Sequence, residues 1–422
     1  MKKIINITLL FLLLTSCNNN PLTSCNKNSD IIVDPGSFDK MNKYVVEGKV
    51  KNVNGEEILP FNTIMNLTTY SDKVYDKLTP IYDMEIKRLH KLFDRYNEYK
   101  DDKGNIINNL KVINDSYGKN KEIKIDEDLF NLLKMSIELS NLTEGYFNPT
   151  MGYLIDGWNP YFSPFGSEDM LETSFSIELE NEIIKRKESI IPYEKLDEVI
   201  ELNEKKMTVK FNKYENIDKS IISLGSIAKG YAIEYMRKEF SIHDTPLIIS
   251  GSASSTYVQG NNPSPDRDNW TVQVSSPYKD LFLNVPLLVN ELTPGKVLST
   301  SGDYEQLFYY ERNGGIVRRH HILDPYKGYS NDYYRSITIY SQTRSDILDG
   351  LSTALFNIED FEKTKEIIKK VEDNYNINID YLFQKEVGNR AVDLYFNEGF
   401  KKTIIEYFGD VEINDGIVRV KL

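Results

Sequence analysis

The chain is expected to fold as a mixed α+β domain, on three observations. Apolar residues recur at helical spacing over 71–96 and 127–140. Elsewhere, as in 207–211 and 270–275, they alternate with polar residues, the pattern of a half-buried strand. The two kinds of segment interleave without the regular strand–helix–strand spacing of a parallel sheet. With 422 residues, 40% hydrophobic and 27% charged, there is material for one large domain or two ordinary ones.

The N-terminus reads as an address. Lys2 and Lys3 precede an apolar run from Ile4 to Leu14. That run is too short to span a bilayer, which takes about 20 residues, and has the form of a signal-peptide core. It ends in Leu14-Thr15-Ser16-Cys17, which resembles a bacterial lipobox. The alternative is an ordinary secretory signal with a chance cysteine. The same letters at 22–25 follow Asn18, Asn19, Asn20 and Pro21, which make no apolar core, so Cys17 is the expected lipidation site. The expected organisation is a lipoprotein signal peptide over 1–16, a flexible tether rich in Asn, Ser, Lys and Asp over 17–43, and a folded domain over 44–422. The protein is then extracytoplasmic and anchored to the cell membrane. Both cysteines, Cys17 and Cys25, lie before the domain, so any chemistry there uses oxygen and nitrogen ligands.

Within the domain, 44–50 alternates as a strand. A helix is expected over 71–96 from Val74, Leu78, Ile81, Met84, Ile86, Leu89, Leu92 and Phe93, and a second over 127–140. Residues 145–150 are a breaker-rich loop. Residues 161–176 read as a polar surface excursion, followed by a helical stretch to about Lys187. After the strand 207–211, an apolar run and a glycine-spaced loop over 219–230 lead into a helix over 227–240. Strands at 247–249, 270–275, 297–299 and 333–341 precede a last helix carrying Asp349. A formal net charge of −13 without a basic stripe argues against nucleic acid as a partner.

Two motifs carry the chemistry. His320 to Pro325, HHILDP, sets an imidazole beside a turn. In SDILDGLSTALF, Asp349 and Thr353 are four apart on a helix and therefore neighbours, able to share one hard cation that wants oxygen ligands. Together they suggest phosphate chemistry. A third segment, Gly225 to Gly230 (GSIAKG), puts Lys229 in the first turn of a helix, whose free N–H groups favour anions. It lacks the spacing of a Walker A loop or of GxGxxG. An exposed lysine on a turn is an equal reading. The serines of 250–255 do not form a GxSxG elbow. Of four histidines, His90 sits within an amphipathic helix, where a structural or surface role is expected, and His243 in a loop. Consecutive strand residues face opposite ways, so at most one of His320 and His321 points into a given site.

The ordered segments FDRYNEY (93–99), GYFNPTMGYLIDGWN (145–159), SLGSIAKGYA (223–232), TSGDY (300–304), HHILDPYKGY (320–329) and DGLSTALF (349–356) resemble the FAD:protein FMN transferase family, the ApbE-like flavin transferases. The likeness runs from roughly Met65 into the 400s. It implies a single mixed domain of antiparallel-rich sheets with packed helices, and Mg²⁺-dependent transfer of FMN from FAD to a Thr or Ser hydroxyl of an acceptor protein, releasing AMP. Carried over by position, His321 is the catalytic residue, a general base toward that hydroxyl. The metal ligands are Asp349, Thr353 and the main-chain oxygen of Ser226. Lys229 is the cofactor lysine, while Met65, Tyr96, Tyr146, Phe147, Asn148, Ser223 and Leu323 match positions that line the FAD. Asn148 and Ser223 stand where the family usually has Asp, and Ser226 where it usually has Gly. The expected partners are FAD, an exported acceptor flavoprotein with a Thr/Ser flavinylation motif, and the membrane through a lipid anchor. A hydrolase splitting FAD into FMN and AMP, or a flavin-binding lipoprotein without catalysis, are the alternatives.

Overall fold

The computed structural model describes residues 31–34, 42–46, 48–163, 166, 170–252, 254–264, 267–280, 283–304, 306–414 and 416–422. The expected signal peptide and Cys17 lie outside them. Ten strands form the central sheet, in the order 42–45, 65–69, 247–251, 255–259, 297–302, 336–341, 380–386, 391–396, 417–421 and 410–414. Neighbours in it pair antiparallel throughout.

Period-two alternation divides this sheet between two cores. Leu247, Ile249, Ile337, Ile339, Tyr381 and Phe383 face a layer of helices, chiefly Asp72–Phe93, Glu127–Leu142, Ala228–Phe240, Ser345–Leu355 and Phe361–Tyr375. Ile248, Tyr340 and Leu382, one residue out of step, face Trp270, Val272, Leu288 and Phe400 in a second cluster. That cluster is closed by a four-stranded sheet in the order 31–34, 270–280, 283–292 and 404–407. The result is a three-layer α+β domain, as the interleaved periodicities imply.

Several elements differ from expectation. Within the expected tether, Ile31–Asp34 pairs antiparallel with the strand Trp270–Asp280, a β-branched run finding an open edge. The alternation over 44–50 is split between Asn42–Val45, in the large sheet, and Val50–Lys51, in a separate two-stranded pair. In the helix Asp72–Phe93 the buried face is Leu78, Tyr82, Ile86, Leu89 and Phe93, while Ile81 and Met84 are exposed. Among the described residues of 161–176, expected as a polar surface excursion, three aromatic rings turn inward. Tyr161, Phe162 and Phe175 pack with Trp158, Phe308 and Tyr310 in a third apolar cluster, whose strands Leu307–Arg312 and Gly315–His320 form a hairpin ending at the two histidines. Among the described residues no helix is long and apolar enough to cross a membrane.

Candidate active site

The site is built where two helices start against each other. Helix N-termini leave N–H groups unpaired, and each of these helices is capped by a carboxylate of the other. Asp349 Oδ2 accepts from Gly230 N–H (2.9 Å). Glu234 Oε2 accepts from Arg344 N–H (3.1 Å) and Ser345 N–H (3.3 Å). A Cβ on Gly230 would stand 2.3 Å from the Ser345 carbonyl oxygen, so this approach requires glycine. Tyr231 N–H makes the first bond back along its helix, to Ile227. Gly230 N–H turns to Asp349 instead, so the Ser226 carbonyl lies outside the helix ladder.

Asp349 Oδ1 in turn accepts from Ser254 Oγ (3.0 Å). Thr353, one turn on, donates to the Asp349 carbonyl (3.2 Å) and lies 3.4 Å from Ser301 Oγ. Each carboxylate oxygen has two lone pairs, so one hydrogen bond apiece leaves Asp349 able to ligate a cation. Carboxylate, hydroxyl and carbonyl form an oxygen-only donor set, and that set fits Mg²⁺. Asp303, His320 and Asp332 also bring donor atoms together. Arg318 (2.6 Å) and Arg335 (3.2 Å) already balance the Asp303 charge there.

The adjacent histidines, the last residue of the strand Gly315–His320 and the first beyond it, part company. His320 is fully buried, its Nε2 bonded to the Asn331 carbonyl (2.7 Å) and its ring edge-on to Phe356. His321 lies on the cavity wall, and its Nδ1 is buried without a hydrogen-bond partner. Burial pushes the His321 imidazole down to about 4, a bond to the Gln306 backbone opposing and the Lys229 ammonium adding to the fall. The ring is therefore neutral at pH 7. The turn beyond it is held by Asp324, whose Oδ1 accepts from Tyr326 and Lys327 N–H and whose Oδ2 accepts from Asn331 Nδ2 (2.7 Å).

These groups face one cavity of about 420 Å³, within the range of small-molecule sites. Asp349, Thr353, Ser226 and His321 line it, and so do Tyr96, Ser223, Lys229 and Leu323. Lys229 Nζ donates to the Gly225 carbonyl (3.2 Å). Tyr96 is half exposed with the Arg95 guanidinium 4.2 Å from its ring centre, and Arg95 is fixed by Asp156 (2.6 Å).

The remaining expected flavin-lining residues stand off this cavity. Met65 is in the core beneath Gly251, and Phe147 packs against the Gly350 turn of the Asp349 helix. Tyr146 lies edge-on to Tyr326. Asn148 is buried, donating to the Ile191 carbonyl (2.9 Å) and accepting from Thr150 N–H and Oγ. Only an amide can do both, since a carboxylate has no proton to donate. The Asn in place of Asp thus has a structural reason.

The wall also contains residues that periodicity does not reveal: Phe61, Asn62, His90, Asp94, Arg95 and Ser301. Ser301 lies in TSGDY and Asp94 and Arg95 in FDRYNEY, segments whose composition signals a turn but not its direction. Phe61 and Asn62 take left-handed backbone angles (φ 56 and 51) without a glycine to announce them.

A family model described as the ApbE family matches residues 61–378. The chain is 24% identical over 306 residues to the FAD:protein FMN transferase of Haemophilus influenzae, spanning 72% of this chain and 78% of that protein. A shorter match, 32% identical over 141 residues, joins 32% of this chain to 39% of the FAD:protein FMN transferase of Klebsiella pneumoniae. In fold it is similar to the crystal structure of the ApbE protein of Thermotoga maritima, with a TM-score of 0.60 at 23% identity, covering 87% of this chain and 100% of that one.

Proposed function

We propose, from the premise that this chain belongs to the ApbE family, that it is an FAD:protein FMN transferase, moving the FMN half of FAD onto a Thr or Ser hydroxyl of an acceptor protein and releasing AMP. The observation that best supports this is a neutral imidazole and an oxygen-only cation site on the wall of one cavity.

Mg²⁺ would be held by Asp349, Thr353 and the Ser226 carbonyl, and would supply charge neutralisation at the pyrophosphate. Lys229 adds a fixed positive charge at a helix start that already favours phosphate. His321 takes the proton of the acceptor hydroxyl at Nδ1, the ring atom left without a partner. The hydroxyl oxygen then bonds to the FMN phosphorus while the phosphorus–oxygen bond to AMP breaks. Arg95 and Tyr96 offer a flat face to a ring of the substrate.

The signal-like run before Cys17 supports an enzyme lipidated at that cysteine, lying outside the cytoplasm and acting on exported flavoproteins. AMP release with and without an acceptor domain tests the reaction. A transferase forms AMP one for one with modified acceptor. Equal AMP without acceptor makes the protein an FAD hydrolase, and no AMP in either case makes it a flavin binder.

A further inference from the structure

Left-handed backbone at a bulky residue such as Phe61 crowds Cβ against the following carbonyl. It persists only where the surroundings over-determine it. Here they centre on His90. Phe61 N–H donates to His90 Nδ1 (3.1 Å), and the Phe61 ring packs on the imidazole and on Phe93, with centroids 5.7 and 6.4 Å away. A backbone N–H can only donate, so Nδ1 is bare and the neutral ring carries its proton on Nε2. That nitrogen is 3.1 Å from the Tyr99 hydroxyl, which donates to Asp94 Oδ2 (2.6 Å). Asp94 Oδ1 accepts from Tyr96 N–H (2.7 Å) and Asn97 N–H (3.3 Å), folding the turn that presents Arg95 and Tyr96. Burial keeps the ring neutral, pushing His90 down to about 4 against the opposing pull of Asp94. Burial and the Asp94 bond raise Tyr99, so it keeps its proton. Each proton in the chain Phe61, His90, Tyr99, Asp94 has one direction and one acceptor.

Resting on the reading of this cavity as the FAD site, we propose that His90 is a positioning residue of the pocket: its two ring nitrogens fasten the left-handed Phe61–Asn62 corner to the Asp94 turn, so that FAD meets two wall segments already set in one register. Fixing both segments before binding removes an ordering cost that FAD would otherwise carry. His90 touches no reacting atom in this role, and its effect falls on affinity.

The test is amide hydrogen exchange on the whole protein, with FAD titrations and steady-state kinetics, for wild type, His90→Phe and Tyr99→Phe. His90→Phe keeps an aromatic ring against Phe61 and Phe93 while removing both hydrogen bonds. It is expected to speed exchange at 59–63 and 94–97 about tenfold, with the middle of the helix Asp72–Phe93 unchanged. The KM for FAD should rise about tenfold with kcat within about twofold, the mark of lost uniform binding. Tyr99→Phe cuts the link one step later, so exchange should rise at 94–97 and not at 59–63. Unchanged exchange in both segments of His90→Phe, or a fall in kcat at constant KM, overturns the proposal. Should His90→Phe not fold, wild-type exchange and FAD affinity in Tyr99→Phe overturn it instead. A wild-type protein that binds no FAD refutes the reading of the cavity, while the exchange pattern still decides whether His90 fastens the two segments.

Discussion

Asp349 Oδ2 accepts the Gly230 N–H at 2.9 Å, which makes one carboxylate both the cap of a neighbouring helix and a wall of the cavity. The two roles separate by substitution. Asp349→Asn keeps an oxygen for the Gly230 N–H and turns an amide N–H toward Ser254 Oγ, a hydroxyl that can accept it, but loses the charge. It is expected to unfold close to wild type while losing more than about 100-fold in turnover, since a metal contributes several kcal/mol of charge stabilisation. Asp349→Ala should lose turnover and also about 1 kcal/mol of stability through the missing cap. Denaturant unfolding beside turnover at several Mg²⁺ concentrations checks both.

Gly225, on the loop, and Gly230, in the first turn of the helix that follows it, should respond oppositely to alanine. At Gly230 the new Cβ meets the Ser345 carbonyl oxygen at 2.3 Å, backbone that cannot swing away. Gly230→Ala is expected to cost about 1–3 kcal/mol, the usual range for overpacking. At Gly225 nothing lies within 4 Å, so Gly225→Ala should stay within about 0.5 kcal/mol of wild type. Urea midpoints of the two variants decide this.

His321 and His320 should fail in different ways. His321→Ala removes the proposed base from the cavity wall and is expected to lower kcat by about 100-fold to 10,000-fold, with little change in FAD affinity. His320→Ala opens a space beside Phe356 and leaves the Ile322 N–H and the Asn331 carbonyl without their partner. It should lower the melting temperature first. Kinetics and thermal unfolding of the pair distinguish the two residues.

Acid should destabilise the fold through these imidazoles. Burial holds His90 and His321 at about 4, below their ordinary 6.5, and lowers His320 as well. Between 6.5 and about 4 the unfolded chain binds protons that the folded chain does not, so stability falls as pH falls through that window. The expected loss from about pH 7 to about pH 5 is of the order of a few kcal/mol. Replacing His321 should make the dependence shallower, which chemical unfolding at the two pH values measures.

Much of the site was legible because its geometry follows from local periodicity. Asp349 and Thr353 share a cavity because a helix puts i and i+4 together, and His321 parts from His320 at the point where the strand Gly315–His320 ends. The rest depends on tertiary contacts. The ring cluster of Tyr161, Phe162 and Phe175 is diluted in a polar, glycine-containing stretch, and only the hairpin 307–320 that covers it makes it a core. Phe61 and Asn62 are left-handed because of a histidine 29 positions away from Phe61, which no local rule anticipates. Asn148 reads as a lost carboxylate in sequence and is a turn brace that both donates and accepts in the structure.

The most direct test of the account is the intact mass of a threonine-bearing acceptor domain after incubation with the protein, FAD and Mg²⁺. A gain of one FMN unit, abolished by chelator and by Asp349→Asn, is the expected result. An unmodified acceptor beside accumulating FMN and AMP would contradict it.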